Sequence, residues 1–227
     1  MAYSYTRLVE DHWRYKRREL TRPPQYITIG RAPVRVVGYV DTGRVDIPKG
    51  TTLTIATVPP GEIWYVYHIA MDYVSNWYIE AGGRAARLAE FTGSTGFVLD
   101  GGWAVKARAI STVNGWMRLR ALKLDPDWIE VFGGVYSVPA NTTFYAYEHP
   151  TDAYHVFTQG SAYGDGTNSG RVRLMHGYHG AQGIDLATGT GIVQWFGARD
   201  DFVQLILINE SESTENCLCA GIKVREW

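Results

Sequence analysis

Four of the six histidines fall in one stretch of the chain, His149, His155, His176 and His179. A metal on a β-scaffold wants ring nitrogens converging on one face, and His-x-His achieves this because alternate residues of a strand share a face. His176-Gly-Tyr-His179 has the wrong spacing, since residues three apart on a strand point to opposite faces. No acidic ligand sits at a fitting offset, so these histidines are expected to be surface or hydrogen-bonded side chains, and no metal is expected. Cys217 and Cys219 supply at most two thiolates, short of a structural zinc set. As neighbours at i and i+2 of a strand they are also badly placed for a disulfide. The loop "YGDGTNSGR" at 163–171 carries Asp165, Asn168 and Ser169, yet lacks the alternating acids and terminal Glu of a calcium loop. Asp200/Asp201 and Glu210/Glu212 are sequence neighbours on expected turns, whereas glycoside hydrolysis needs carboxylates facing each other across a cleft. Gly-x-Ser-x-Gly, a phosphate loop and a dinucleotide fingerprint are all missing. An enzyme is therefore not expected, and neither catalytic residues nor a cofactor are assigned.

Binding chemistry is better represented. Eight Trp and 15 Tyr are many for a chain of 227 residues. Trp77, Tyr78, Trp116 and Trp195 lie near expected turns, where flat amphipathic rings stack on sugars or fill a subunit interface. Asn141-Thr-Thr143 and Asn209-Glu-Ser211 fit the glycosylation sequon. A net charge of −1 argues against non-specific binding of nucleic acid by the whole surface. Arg outnumbers Lys 17 to 5, a balance that fits a GC-rich or hot-adapted source. No apolar run approaches the ~18 residues of a membrane span. The opening "MAYSYTRLVEDHW" lacks the apolar core of a signal peptide. The expectation is a protein that stays in the cell that makes it or leaves by another route, such as inside an assembled particle.

These side chains must be carried mainly by strands. Residues 4–20, "SYTRLVEDHWRYKRREL", are the one helix candidate, with Ser4 as cap and Trp13 on its apolar side. "TRPP" at 21–24 ends it, because proline breaks the hydrogen-bond ladder. From residue 25 onward, segments such as "EIWYVYHIAMD" (62–72), "WAVKARAI" (103–110), "WMRLRALKL" (116–124), "NTTFYAYE" (141–148), "DFVQLILIN" (201–209) and "CLCAGIKVRE" (217–226) are rich in β-branched and aromatic residues. Turn formers such as "PPG", "DGG", "VNG" and "NES" separate them.

The second half of the chain echoes the first. "VRVVGYV" (34–40) matches "IEVFGGV" (129–135), and "IPKGTTLTI" (47–55) matches "VPANTTFYA" (138–146). The latter pair places Gly50 opposite Asn141, the two residue types most tolerant of a positive φ. "TGFV" (95–98) then matches "TGIV" (190–193), "WAVKARAI" matches "DFVQLILI", and "ALKL" (121–124) matches "GIKV" (221–224). The order is the same throughout, at offsets of 91 to 100. The fold expected is all-β, a tandem pair of small antiparallel, jelly-roll-like β-sandwiches behind a short N-terminal helix. Its divisions are an arm at 1–27, repeat one at 28–125 and repeat two at 126–227; the alternative is one larger jelly roll.

Reading the last two strands of each repeat as a paired hairpin places Lys106, Arg108, Arg118 and Arg120 on one outer face, a candidate basic patch for an acidic partner. The matching positions in repeat two are Gln204, Ile206, Leu218 and Ala220, mostly apolar. A bare apolar sheet face is sticky, so this face is expected to be covered by the N-terminal helix, the other repeat or another subunit. Gln204, Ile206, Ile208, Leu218, Ala220 and Trp13 are the interface candidates.

"IPKGTTLTIATVPPGEIWYVYHIAMDY" and "DFVQLILINESESTENCLCAGIKVREW" resemble the strand-and-turn style of jelly-roll structural proteins of viruses. The P-x-G-T-T turn enters a strand, and P-P-G-E-x-W opens a long one. The resemblance covers residues 28–227 and implies a virion component (capsid, decoration or spike) that assembles with itself or other virion subunits, with no catalytic residues. A carbohydrate-binding module, taking a glycan on its Trp and Tyr, is the alternative; a cupin-like enzyme is the second.

Overall fold

The computed structural model describes residues 25–29, 32–88, 93–149, 154–162, 172–177, 184–191, 195–197, 203–210 and 212–224. Every regular element among the described residues is a strand. The first half supplies β1 (Gln25–Ile29), β2 (Ala32–Asp41), β3 (Val45–Ile47), β4 (Thr52–Thr57), β5 (Ile63–Asp72), β6 (Val74–Ala81), β7 (Arg84–Leu88), β8 (Gly93–Leu99), β9 (Ala104–Ala109) and β10 (Gly115–Leu124). The second half supplies β11 (Ile129–Val138), β12 (Thr142–His149), β13 (Tyr154–Ala162), β14 (Val172–Gly177), β15 (Ile184–Gly191), β16 (Trp195–Gly197), β17 (Val203–Asn209) and β18 (Glu215–Val224). The helix expected at 4–20, with Trp13, lies outside the described residues.

The strands form several antiparallel sheets. One runs β1-β2-β10-β5-β8 with β3 also on β10, a second runs β4-β9-β6-β7, and a third runs β11-β18-β13-β15-β14-β17-β12 with β16 also on β13. None of these sheets takes strands from both halves. The two halves nevertheless share one pairing scheme. In the first half, with β1 and β3 set aside, the first strand pairs the eighth (β2·β10), the second the seventh (β4·β9), the third the sixth (β5·β8) and the fourth the fifth (β6·β7). The eighth also pairs the third, and the seventh the fourth. The second half repeats all of these as β11·β18, β12·β17, β13·β16, β14·β15, β18·β13 and β17·β14.

Alternation along β10 explains why the chain forms strands here. Met117, Leu119 and Ala121 are buried, while Trp116, Arg118 and Arg120 between them are half-buried. Val105, Ala107 and Ala109 of β9 are buried in the same apolar cluster. These two sets meet from different sheets, because β9 pairs β4 and β6 whereas β10 pairs β2, β3 and β5. The expected hairpins 103–110/116–124 and 202–208/217–224 are therefore corrected. In the first half the last two strands belong to different sheets, and in the second half β17 and β18 lie in one sheet without pairing each other. The residues expected in the first core are all there, facing one another across it.

At the other end of the first half a single residue, Tyr73, separates β5 from β6 and takes the chain from one sheet to the next. Its φ is 53°, unusual for a bulky residue. The Tyr73 carbonyl accepts a bond from the Ile110 N–H at 2.9 Å. Gly115 lies beneath, where a Cβ would come 2.7 Å from that same carbonyl oxygen, so the "VNG" turn needs its glycine for space.

The turn between the halves is pinned. Asp125 is buried, its Oδ2 3.0 Å from Arg35 Nη1, and its N–H donates to the Arg35 carbonyl at 3.0 Å. Its Oδ1 accepts from the Asp127 N–H at 3.0 Å. Leu124 before the turn and Ile129 after it are both buried in one cluster. That cluster continues across the halves, joining Val135, Leu218, Ala220, Ile222 and Val224 to Leu88, Phe97, Leu99 and Trp103. The contact is made by β6, β7 and β8 of the first half with β11, β13 and β18 of the second.

Two repeat landmarks hold in detail. Gly50 and Asn141 both take a positive φ, 68° and 52°. Thr51 Oγ1 donates to the Pro48 carbonyl at 2.7 Å, and Thr142 Oγ1 to the Pro139 carbonyl at 2.7 Å. Two others do not. "TGFV" lies in β8, the sixth strand of its half, whereas "TGIV" begins in β15, the fifth of its own. Gly38 pairs Lys123 while Gly133 pairs Ala220, so the glycine match and the "ALKL"/"GIKV" match, which equates Lys123 with Lys223, disagree by three residues. β2 carries a bulge beside Lys123/Leu124, whereas β11 pairs β18 in unbroken register, so the two strands are not matched residue for residue.

Candidate functional site

The outer face of β2, β10 and β5 carries a group of charged and aromatic side chains. It is built by alternation: with Met117, Leu119 and Ala121 turned into the core, Trp116, Arg118 and Arg120 must face away from it. Asp41 is the register partner of Arg120 on β2. Arg118 Nε donates to Asp41 Oδ1 at 2.7 Å, Arg118 Nη2 pairs with Asp41 Oδ2, and Arg120 Nε stands 3.4 Å from Asp41 Oδ2. The Arg118 hydrogen bond holds the Asp41 carboxyl well below the usual carboxylate range, helped by the Gly43 N–H, and Asp41 in turn raises the Arg118 guanidinium. Both groups are solvated, so the pair fixes geometry more than it stabilises the fold.

Flanking this centre, Arg44 Nε donates to Asp46 Oδ1 at 2.7 Å, and its guanidinium carbon stands 5.0 Å from the Trp116 ring centre. Towards the other end, Lys123 Nζ donates to Glu62 Oε1 at 2.6 Å and the Trp64 indole N–H to Glu62 Oε2 at 2.7 Å. Those two bonds lower the Glu62 carboxyl, the lysine first. Tyr39 stands 66% exposed on the same face, its hydroxyl donating to Gln25 Oε1 at 2.8 Å. Each cation named here has a carboxylate beside it, so the face is polar and patterned but not a basic field.

The expected basic patch is accordingly divided. Arg118 and Arg120 lie on β10, whereas Lys106 and Arg108 lie on β9 in the other sheet. Lys106 Nζ pairs with Glu80 Oε2, and Arg108 is exposed. Sequence reasoning missed Asp41, Glu62 and Glu80 as partners. The signal exists only once strand pairing is known, since Asp41 lies far from Arg120 in sequence and opposite it in register.

The interface candidates separate in the same way. Leu218 and Ala220 are fully buried, and the cover foreseen for them is the first half of the same chain. They are not available to a second subunit. Ile208 is half-buried on β17, which does not pair with β18; the side chains of Gln204 and Ile206 lie outside the described part.

Trp77 is fully buried and packs on Phe97 with ring centres 5.7 Å apart, so it offers no platform to a sugar. Trp116 stays half-buried on the outer face, Tyr78 is half-buried, and the Trp195 side chain lies outside the described part. Asn209 is buried, its amide donating to the carbonyls of Val138, Pro139 and Ser213 at 2.8 to 3.0 Å, which removes it as a glycosylation acceptor. Asn141 is exposed. His149, His155 and His176 lie on β12, β13 and β14, and His179, the loop 163–171, Asp200 and Asp201 lie outside the described residues. Among the described residues no three His, Cys, Asp or Glu side chains gather to hold a metal ion.

No family model matches the chain, and no curated protein matches it. Solved structures give distant likenesses. A conserved protein of unknown function from Pseudomonas aeruginosa PAO1 is 9% identical, with a TM-score of 0.30 over 90% of this chain and 94% of that one. AerE from Microcystis aeruginosa is 10% identical, with a TM-score of 0.28 over 89% and 97%. The triple jelly-roll turret protein of an archaeal virus is 11% identical, with a TM-score of 0.28 over 80% and 59%. Likenesses of this size assign neither fold nor function.

Proposed function

We propose that the chain is a structural subunit of a virion, two jelly rolls in tandem that act by assembling with copies of themselves or with other virion subunits. The observation that carries the reading is the strand scheme present twice. Pairing first with eighth, second with seventh, third with sixth and fourth with fifth is one long hairpin wound over on itself, the winding of a jelly roll. Finding it in both halves, with matching Pro-Thr turns, supports duplication of an ancestral unit. Jelly rolls serve as capsid, lectin and cupin domains. The first core is filled by Trp77, Phe97, Ile69 and Met117, which favours a role played on surfaces over one played in a cupin-like interior. A capsid, decoration or spike position is consistent with this design, and the particle would be its location. Light scattering and electron microscopy on the purified chain test the reading: a defined oligomer or particle is expected, and a strict monomer at all concentrations sinks it.

A second reading rests on the outer face of β2, β10 and β5. Exposed Tyr39 and Tyr67 with half-buried Trp116 suit glycan stacking. Saturable tryptophan fluorescence shifts on a glycan panel, lost in Trp116→Ala, would support it over the first.

A further inference from the structure

Each half ties its proline turn to the loop before its last strand through an asparagine side chain. In the second half the Asn209 amide donates to the Pro139 carbonyl at 3.0 Å and to the Ser213 carbonyl at 2.8 Å. In the first half the Lys49 N–H donates to Asn114 Oδ1 at 2.9 Å. The two pins differ in exposure and in the residue that follows. Asn209 is buried and followed by Glu210, whereas Asn114 is exposed and followed by Gly115. Asn114-Gly115 is the one Asn-Gly step in the sequence.

Asparagine is thermolabile, and a following glycine leaves its side chain open to attack, having no side chain to stand in the way. The Gly115 nitrogen attacks Asn114 Cγ. A new C–N bond closes a cyclic imide, the bond from Cγ to Nδ2 breaks, and Nδ2 leaves as ammonia with the proton that the Gly115 nitrogen gives up. Water then opens either imide bond, giving aspartate or isoaspartate, whose main chain runs through the side-chain carbons. The fold cannot escape the step by replacing Gly115, because a Cβ there would lie 2.7 Å from the Tyr73 carbonyl oxygen and 3.0 Å from that of Asp72. Ring closure does require Asn114 Cγ to meet the Gly115 nitrogen, and the Lys49 N–H ties Oδ1 to a different loop.

We infer that Asn114 is a modification site held shut by the Lys49 N–H: deamidation proceeds when that hydrogen bond opens, and it replaces a neutral pin by a carboxylate. Isoaspartate would press the main chain at Gly115 towards the Tyr73 carbonyl, where the chain passes from one sheet to the other. Asn209, the matching pin, has neither the glycine nor the exposure. The modification needs water alone, and it is independent of the surface role that the protein plays.

Lys49→Pro opens the latch and keeps the turn. The Thr51 N–H donates to the Pro48 carbonyl at 3.1 Å and Gly50 has a φ of 68°, the pattern of a type II turn with Lys49 at its second position, where proline fits. The neighbouring ties do not involve the Lys49 N–H: the Gly50 N–H donates to the Ile110 carbonyl at 2.9 Å and the Ala109 N–H to the Thr51 carbonyl at 3.1 Å. Deamidation is read by mass spectrometry of the 109–118 tryptic peptide, with isoaspartate assayed beside it. Native Lys49→Pro is expected to deamidate about fivefold faster than native wild type, the population shift that one such hydrogen bond is worth. Lys49→Ala keeps the N–H and is expected to match wild type, while wild type in urea deamidates faster than in the native state. An unchanged rate in Lys49→Pro, a raised rate in Lys49→Ala, or equal rates for wild type in buffer and in urea overturns the inference. If circular dichroism shows that Lys49→Pro has lost its strand signal, hydrogen exchange at the Lys49 amide of the wild type decides in its place. Exchange and deamidation must then rise in proportion through sub-denaturing urea, and deamidation that stays constant while exchange climbs overturns the inference.

Discussion

Gly133 lies so close to Cys219 that a Cβ on the glycine would come 2.1 Å from the Cys219 carbonyl oxygen. Its φ of 88° is also closed to most side chains. The two strands concerned, β11 and β18, form the wall against which the first half packs, so a shift here is felt on both sides of that wall.

Gly133→Ala is therefore expected to destabilise the protein by roughly 2–4 kcal/mol, adding backbone strain to a clash that only strand separation relieves. Gly43→Ala is the control: its φ is 65°, but nothing lies within 4 Å, so only the conformational term of about 1–2 kcal/mol remains. Urea midpoints of the two variants measure the difference. Equal midpoints would mean that the wall is looser than the close approach requires.

Leu218 and Arg118 hold the same place in the two halves and give opposite forecasts. Leu218→Ala removes a fully buried side chain from the contact between halves and is expected to lower stability by about 2–5 kcal/mol. Arg118→Ala, on a solvated face, is expected to leave the urea midpoint nearly unchanged. A mild effect of Leu218→Ala would show that the halves hold together without this patch.

How far the sequence leads follows from what each pattern encodes. Period-two alternation locates β10 and its core residues Met117, Leu119 and Ala121, because burial on one face writes itself into consecutive residues. The positive φ at Gly50 and Asn141 is legible for a similar reason, since a local steric demand selects residue types. Which strands pair is a different matter. Nothing in "WAVKARAI" or "WMRLRALKL" distinguishes a hairpin from two strands facing across a core, so the alternation fits basic residues on one face or on two equally well. The pairing of Asp41 with Arg118 is hidden in the sequence for the same cause. Leu218 is buried, yet an apolar face needs the same cover whether it comes from the same chain or another.

The matched turns permit a test of equivalence. Thr51→Val and Thr142→Val each remove one hydroxyl that donates to a proline carbonyl three residues back, with the same 2.7 Å geometry. Each is expected to cost about 0.5–1.5 kcal/mol, and the two should agree with each other more closely than either agrees with a threonine elsewhere, such as Thr54→Val. Denaturation curves decide it; a large effect in one half alone would show that the turns share a shape without sharing a load.

Alkaline pH should unfold the protein through its buried thiols. Burial pushes Cys217 from the usual 9.0 up to about 12 and raises Cys219 as well, while Tyr136 beside them moves from 10.0 to about 12. Between those limits the unfolded chain has released protons that the folded chain still holds. Stability therefore falls as pH rises, intact below 9.0 and lost progressively from there towards about 12. Urea midpoints at pH 7 and pH 10 should show the fall, and Cys217→Ala with Cys219→Ala should flatten it even if that variant starts less stable. The same burial predicts that a thiol reagent at pH 8 labels the native protein no faster than the wall opens, and labels both cysteines at once in urea. Rapid labelling of the native chain, or a pH dependence unchanged in the double variant, would place the thiols outside the packed wall.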